Sequence, residues 1–573
     1  MPTLLVILAV TVRGGEHVAG LREVGQAALQ HGAEVLGPPV PGVPIEVDLR
    51  RLPTVSSWDP GTPLADSQRR DDGSGQPVET PPVLDPLVER QRAWDGPGPI
   101  VIEVHNVLGT FSAWSPNDPT GDVGADYFVQ AVRGGLATGS SLIAVYDKGT
   151  GDRVLGPFVL ETLAPSGPCT SGLGDPIVLY DHLAGRWFLS EIANTGDRMC
   201  IYTSRTADPI AGGWCFYEFQ DDTFPDYPKY GVWSTMYTAT TNKGGAGPDV
   251  YAFDRANMLS PNGVSCPTAR PTQRFANAPN LPGLGFEAFT PVDLDGPAPP
   301  PGTPAYFVRH RDEELHGDPA PSPTLDRVEL WALAVDFGNP ANSTFTKQPD
   351  LLLSEFDSNL CPPLGNFECV PQPDGGPDLD PLLEVVMQRA TYRRFGDHET
   401  ILGVLQTDVN DFPDHSGERW FEARRSGGGP FTLFQDGTYS PDAEHRFMGM
   451  TAMDGSGNIL LAYNVSSESV YPSLRYTGRL ATDPLGVMTV PETTLAAGNA
   501  VNNSNRYGDY NQMGVDPVDD CTFWLVGTYN LMATNSRRVQ IGAIRFEACG
   551  EALIFSDGFE SGDTSAWDTV MTD

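Results

Sequence analysis

The stretch Arg506–Trp524, RYGDYNQMGVDPVDDCTFW, sets the plan that most of the chain repeats. It holds an entry turn ending in Gly508-Asp509, a short strand, a tight turn through Asp516-Pro517-Val518-Asp519-Asp520, and a second strand opening at Cys521-Thr522-Phe523-Trp524. Short alternating runs bounded by Gly, Pro and Asp are strand and turn signals. Weaker copies recur, among them GDPIVLYDHLAGRWFLSE, DYPKYGVWSTMYTATTN and FMGMTAMDGSGNILLAYNV. Each module has three or four short β runs. Sequential antiparallel sheets repeated along one chain predict an all-β fold, a β-propeller.

The modules number seven, with six or eight as alternatives, because the fourth and fifth carry long Pro-rich insertions. The first module is read from IVIEVHNV onward and the seventh from Arg506 to Cys549. A row of β-sandwich domains is the competing architecture. No clear linker between Gly98 and Cys549 supports it.

The 62 glycines and 53 prolines fit many tight turns better than long helices. The formal net charge is −38, and only four of the 36 basic residues are lysine: Lys148, Lys229, Lys243 and Lys347. So acidic a surface repels phosphate backbones and argues against a nucleic-acid partner. It suits an exported protein kept in solution by charge, or one that attracts Ca²⁺ or cationic ligands.

The N-terminal run PTLLVILAVTV has the length of a signal-peptide core and is too short to span a membrane. It lacks a basic flank, and a buried strand is the alternative. Apolar positions Val18, Leu21, Val24, Ala28, Leu29 and Val35 predict a short amphipathic helix within residues 15–36. From Gly37 to Gly98 the chain is rich in Pro, Gly, Asp and Arg, with no apolar period. Residues 1–98 are therefore expected to be a poorly ordered leader or pro-region, 99–549 the propeller, and 550–573 a linear tail.

Eight cysteines without CxxC or zinc spacing point to disulfides in an oxidising compartment. Cys361 and Cys369 bracket a Pro/Gly loop and form an easy local pair. Cys521 and Cys549 flank the last module and are placed to staple it. The pairing of Cys169, Cys200, Cys215 and Cys266 is left open.

Several modules enter the first strand through Gly or Pro beside an acid: Gly174-Asp175, Pro225-Asp226, Gly396-Asp397 and Gly508-Asp509, with Phe286-Glu287 as a looser version. In a propeller such entries converge on one end of the central channel. Asp226, Asp397 and Asp509 are thereby candidate ligands of a Ca²⁺ ion, which takes six to eight oxygens. The plainer role is that each carboxylate accepts backbone N–H bonds and seats its blade.

The turns Asp181–Gly185, Asp454–Asn458 and Asp516–Asp520 resemble the Asp-box turns of sialidase-like propellers. The stretches GDPIVLYDHLAGRWFLSE, FPDYPKYGVWSTMYTATTN, FGDHET, SVYPSLRYTGRLATDPLGVMT and RYGDYNQMGVDPVDDCTFW resemble a group of large exported bacterial proteins across roughly residues 115–549. That resemblance implies a secreted propeller and carries no catalytic residues with it. The tail IFSDGFESGDTSAWD resembles a C-terminal motif of exported proteins and suggests export or surface attachment.

Two functions follow as expectations. One is a secreted or surface-associated scaffold, a monomer, that binds protein or glycan ligands. The other is a sialidase-like glycoside hydrolase. The second needs clustered arginines and a Tyr/Glu pair. Arg393, Arg394, Arg475, Arg479, Tyr392, Tyr476, Asp397 and Glu399 are the candidates. Trp187, Trp214, Trp233, Trp331 and Trp420 are read as core first and sugar platforms second.

Overall fold

The computed structural model describes residues 30–55, 65–66, 85–112, 114–134, 139–243, 247–276, 281, 288–316, 326–361, 368–383, 385–411 and 413–550 except 532–536. The signal-like run, the start of the expected helix, Phe286-Glu287 and the tail from residue 551 lie outside them.

The fold is a β-propeller. Among the described residues, seven four-stranded antiparallel units follow one another. Blade 1 runs Thr120–Val123, Tyr127–Arg133, Ser141–Asp147 and Arg153–Val159. Blade 2 runs Gly172–Asp181, Arg186–Ala193, Arg198–Ser204 and Trp214–Gln220. Blade 3 runs Asp226–Val232, Tyr237–Asn242, Asp249–Phe253 and Thr272–Phe275. Blade 4 runs Thr290–Asp295, Ala305–Arg311, Arg327–Ala334 and Thr344–Lys347. Blade 5 runs Ala390–Arg394, Glu399–Asp411, Asp414–Arg425 and Thr432–Tyr439. Blade 6 runs His445–Met453, Ile459–Ser466, Ser473–Arg479 and Thr493–Ala496. Blade 7 runs Gln512–Val515, Thr522–Asn530 and Arg537–Phe546, and its fourth strand is Val101–Leu108.

The first strands touch in the order 1-2-3-4-5-6-7 and back to 1, so they line a closed ring. Val101–Leu108 pairs antiparallel with Arg537–Phe546, Ile541 opposite Val107. The run IVIEVHNV therefore completes the last blade instead of opening the first. Its alternation fixes a strand but not its partner. Blades 4 and 5 share one sheet, because their first strands pair in parallel, Val292 opposite Ala390.

Large side chains fill the spaces between blades. Trp187, Trp214, Trp233, Trp331 and Trp420 are all buried. Trp331 stacks on Phe345 at 4.9 Å, and Trp233 meets Tyr392 edge-on at 5.2 Å. These rings are inter-sheet core, with no open face for a sugar.

Residues 30–55 run around the outer rim. Gln30–Gly32 adds to the outer strand of blade 4, Glu34–Leu36 to blade 3 and Val43–Ile45 to blade 2. The amide of Val55 then donates to Pro157 O on blade 1. Ion pairs hold this belt, with Glu34 on Arg274 at 2.8 Å and Glu46 on Arg205 at 2.5 Å. The helix expected over 15–36 is thus strand in its described part. Unpaired edges of the outer strands supply hydrogen bonds that a weak helical period cannot match. The only α-helix among the described residues is Val88–Arg92. Around it, Asp85 accepts from Arg419 and Thr438 of blade 5, and Gln91 exchanges two hydrogen bonds with the backbone of Met488. Part of the stretch read as a leader is therefore packed against the propeller.

All eight cysteines are paired: Cys169–Cys200, Cys215–Cys266, Cys361–Cys369 and Cys521–Cys549. The last two are the pairs expected from spacing. Four disulfides fit an oxidising compartment. Among the described residues no helix is long and apolar enough to cross a membrane.

Candidate functional site: the axial channel and its two ends

The first strands bring their side chains to the axis, where the channel is filled. Arg389, just before the first strand of blade 5, reaches across it. Its Nε donates to Asp293 Oδ2 at 2.7 Å, Nη2 to Asp295 Oδ1 at 2.5 Å and Nη1 to Met513 O of blade 7 at 2.8 Å. Burial opposes its charge, and Asp295 and Asp293 outweigh burial, so its pKa is raised. Asp122 of blade 1 lies beside it, accepting from the amides of Tyr180 and Val123. Burial pushes Asp122 up to about 7, against the pull of Arg389. Gly514 passes between them. A Cβ there would sit 2.7 Å from Asp122 Oδ1 and 3.3 Å from Arg389 Nη1. Lys229 is also fully buried, donating to Thr290 Oγ1 at 2.9 Å and Val386 O at 2.7 Å. Burial lowers its pKa well below that of a free lysine.

At the end where the first strands begin, Asp118, Asp175 and Tyr227 adopt positive φ of 45°, 53° and 47°. Each stands directly before a proline. The left-handed backbone turns them inward at the strand entry, a conformation non-glycine residues seldom adopt. Tyr227 of blade 3 meets Tyr510 of blade 7 at 4.9 Å, and its hydroxyl donates to Asp509 O. Tyr510 donates to Asp175 Oδ2 at 2.9 Å, and Arg506 binds the Asp509 carboxylate. Both oxygens of buried Asp118 accept no hydrogen bond. Burial first and Asp175 second push its pKa well up. Asp509 is pushed up to about 6 by burial, with Arg506 working the other way.

Two loops cover this end. Gln372 exchanges two hydrogen bonds with the backbone of Asn502. The amide of Asp380 donates to Asn505 O, and Asn505 donates to Glu368. Residues 368–383, 385–387 and 499–511 thus form a cap.

Of the three acidic residues expected together, Asp397 is at the other end of the channel from Asp226 and Asp509. Asp509 lies under the cap. Asp226 is half-buried at the start of blade 3 and pairs in register with Asn242. Asp397 has 88% of its side chain exposed and lies in the hairpin between Arg394 and Glu399, at the opposite end of the channel. Its Oδ1 lies 2.6 Å from His398 Nδ1. The Gly-Asp pair there makes a hairpin turn and no strand entry. The acids that act on or with Asp509 are Asp380, Asp175 and Asp118. The shared signal for Asp118, Asp175 and Tyr227 is a proline one residue on.

The hydrolase candidates also scatter. Arg393 pairs with Asp520, Arg475 with Glu444 and Glu492, and Arg479 with Gln435 and Asp483 O. Arg394 is exposed. Tyr392 does donate to Glu399 Oε2 at 2.6 Å, and Arg425 binds the same oxygen at 2.5 Å. Tyr392 is wholly buried, however.

No family model matches the chain, and no curated protein does. Solved structures share a general likeness. A protein of unknown function from Dyadobacter fermentans is 12% identical with a TM-score of 0.35, covering 78% of this chain and 99% of that one. The β-propeller domain of the Trilobed protease from Pyrococcus furiosus is 7% identical with a TM-score of 0.34, covering 76% and 95%. An endo-arabinase from Bacteroides thetaiotaomicron is 15% identical with a TM-score of 0.27, covering 55% and 96%. At these values the likenesses say nothing about function.

The opposite end carries the hairpins between first and second strands, and its loops reach solvent. Leu183, between the first two strands of blade 2, and Val518, between those of blade 7, are exposed. Beside the Cys521–Cys549 bridge lies a cleft of about 430 Å³ lined by Ile102, Asp519, Arg545 and Glu547.

Proposed function

We propose that this protein is a secreted or surface-associated scaffold that binds extracellular protein or glycan ligands through the hairpin end of the propeller. The observation that carries this reading is the filled channel. Arg389 and Asp122 occupy the axis, and the cap lies over the strand-entry end. Ligands are left the hairpin end, with exposed Leu183 and Val518 and the acidic Asp397. The separated arginines give further support, because each is engaged by a carboxylate, amide or carbonyl of the fold.

One observation favours the alternative of a glycan-processing enzyme. Tyr392, Glu399 and Arg425 form the Tyr/Glu/Arg set such chemistry uses, although Tyr392 has no exposed surface.

Affinity electrophoresis against a panel of polysaccharides, run beside an assay for released reducing ends, separates the two. Retardation without release, lost in Leu183→Asp with Val518→Asp, is the expected result. Time-dependent release of reducing ends that Glu399→Gln abolishes would overturn it.

A further inference from the structure

Acidic side chains converge at the end of the second strand of blade 4, away from the axis. One carboxylate oxygen from each of Asp312, Glu314 and Asp326 lies within 4.8 Å of the others. Asp312 and Asp326 are buried. Their carboxylates already take backbone amides: Leu315 and Ser358 donate to Asp312, and Glu313 and Phe356 to Asp326. Those bonds aim the carboxylates and leave lone pairs on each.

A second observation is independent of that cluster. Both carboxylate oxygens of Glu355 are closed off from solvent, each with less than 1 Å² exposed, and neither accepts a hydrogen bond. The same holds for Oε2 of Glu314. Glu355 directly precedes Phe356, whose amide is on Asp326, and the charges of Glu314, Glu313 and Asp312 act on its carboxylate. The cation Arg419 acts on Glu355 in the opposite sense. Its two Nη atoms donate to Ser354 O, Glu355 O, Asp85 and Asp436, and none of these bonds reaches the Glu355 carboxylate. An enclosed carboxylate with no donor is costly unless a cation meets it. The other acidic trio, Asp442, Glu444 and Glu492, is different, because Arg446 and Arg475 fill it.

We infer that Asp312, Glu314, Asp326 and Glu355 bind a hard divalent cation, Ca²⁺. Carboxylate oxygens within 4.8 Å of one another are close enough to share one such ion. Four carboxylates also give the charge and the oxygen count that Ca²⁺ takes. The site has a structural consequence. Phe356 and Ser358, held by Asp326 and Asp312, begin the insertion that carries Cys361–Cys369 and then forms the cap. A cation here fastens the root of that insertion to blade 4.

The test is calorimetric titration of the EDTA-treated full chain with CaCl₂, with MgCl₂ in parallel. One Ca²⁺ per chain is expected, bound more tightly than Mg²⁺. Glu355→Gln and the half-buried Glu314→Gln should each weaken it by roughly tenfold or more, and Asp442→Asn should leave it unchanged. Circular dichroism confirms that the variants fold. In the wild type, Ca²⁺ should also raise the melting temperature and slow proteolysis at residues 356–361 and 368–383. The absence of binding by the wild type at millimolar CaCl₂, or affinity unchanged in both glutamine variants, would overturn the assignment.

Discussion

The Arg389 guanidinium donates to the Asp293 carboxylate at 2.7 Å, and both side chains are at most 3% exposed. This bond sits on the propeller axis and joins the loop before blade 5 to blade 4. Breaking it by removing the cation leaves Asp293 and Asp295 buried without their partner. Arg389→Met is expected to cost about 3–5 kcal/mol, read as a lower denaturant midpoint at unchanged slope. Adding Asp293→Asn and Asp295→Asn should restore part of the loss.

The rim belt makes a second expectation. A sheet edge with free N–H and C=O groups recruits other edges. Removing residues 1–55 uncovers the outer strands of blades 2, 3 and 4, to which Gln30–Ile45 is paired. Such a chain should melt earlier and self-associate by light scattering. A chain lacking only residues 1–29, which keeps every described strand of the belt, is the comparison.

Glu418 gives a pH dependence with a fixed sign. It is fully buried, accepts from Gln406 at 3.0 Å, and burial pushes it up to about 8 against the pull of Gln406 and Arg446. An unfolded glutamate releases its proton near 4.3. Between those values the native state holds the proton and the unfolded state does not. Its contribution is therefore complete below about pH 4 and lost as pH rises through about 8, by up to several kcal/mol. Glu418→Gln should flatten the decline of stability between about pH 5 and about pH 9, measured by urea unfolding at each pH.

The Cys521–Cys549 bridge closes a loop of 28 residues across blade 7. Replacing both cysteines by alanine should cost about 3 kcal/mol through the freer unfolded chain. The denaturant midpoint should fall, while the far-ultraviolet spectrum stays that of a β protein.

The parts legible in the sequence were those encoded locally. Asp181–Gly185, Asp454–Asn458 and Asp516–Asp520 all lie at hairpins between first and second strands, because an Asp turn needs only its neighbours. The local disulfides were legible for the same reason. Gly396-Asp397 misled because the same residue types serve strand entries and hairpins. The rim belt was hidden for a different reason. Its strands are two or three residues long and find their partners more than a hundred positions away. Likewise, Asp312 and Glu355 look like ordinary loop acids until blade 4 brings them together. The cap depends on Gln372 meeting Asn502, which no local pattern announces.

Val101–Leu108 lies in the last blade, and its Asn106 meets Gln540, 434 residues further along. During synthesis this strand leaves the ribosome before any other strand of the seven blades. It then has nowhere to pair until almost the whole chain has followed. A ribosome adding about 5–20 residues per second keeps it waiting for tens of seconds. For that interval the ring stays open at one seam, and the first strand of the blades to be made is the last to be seated.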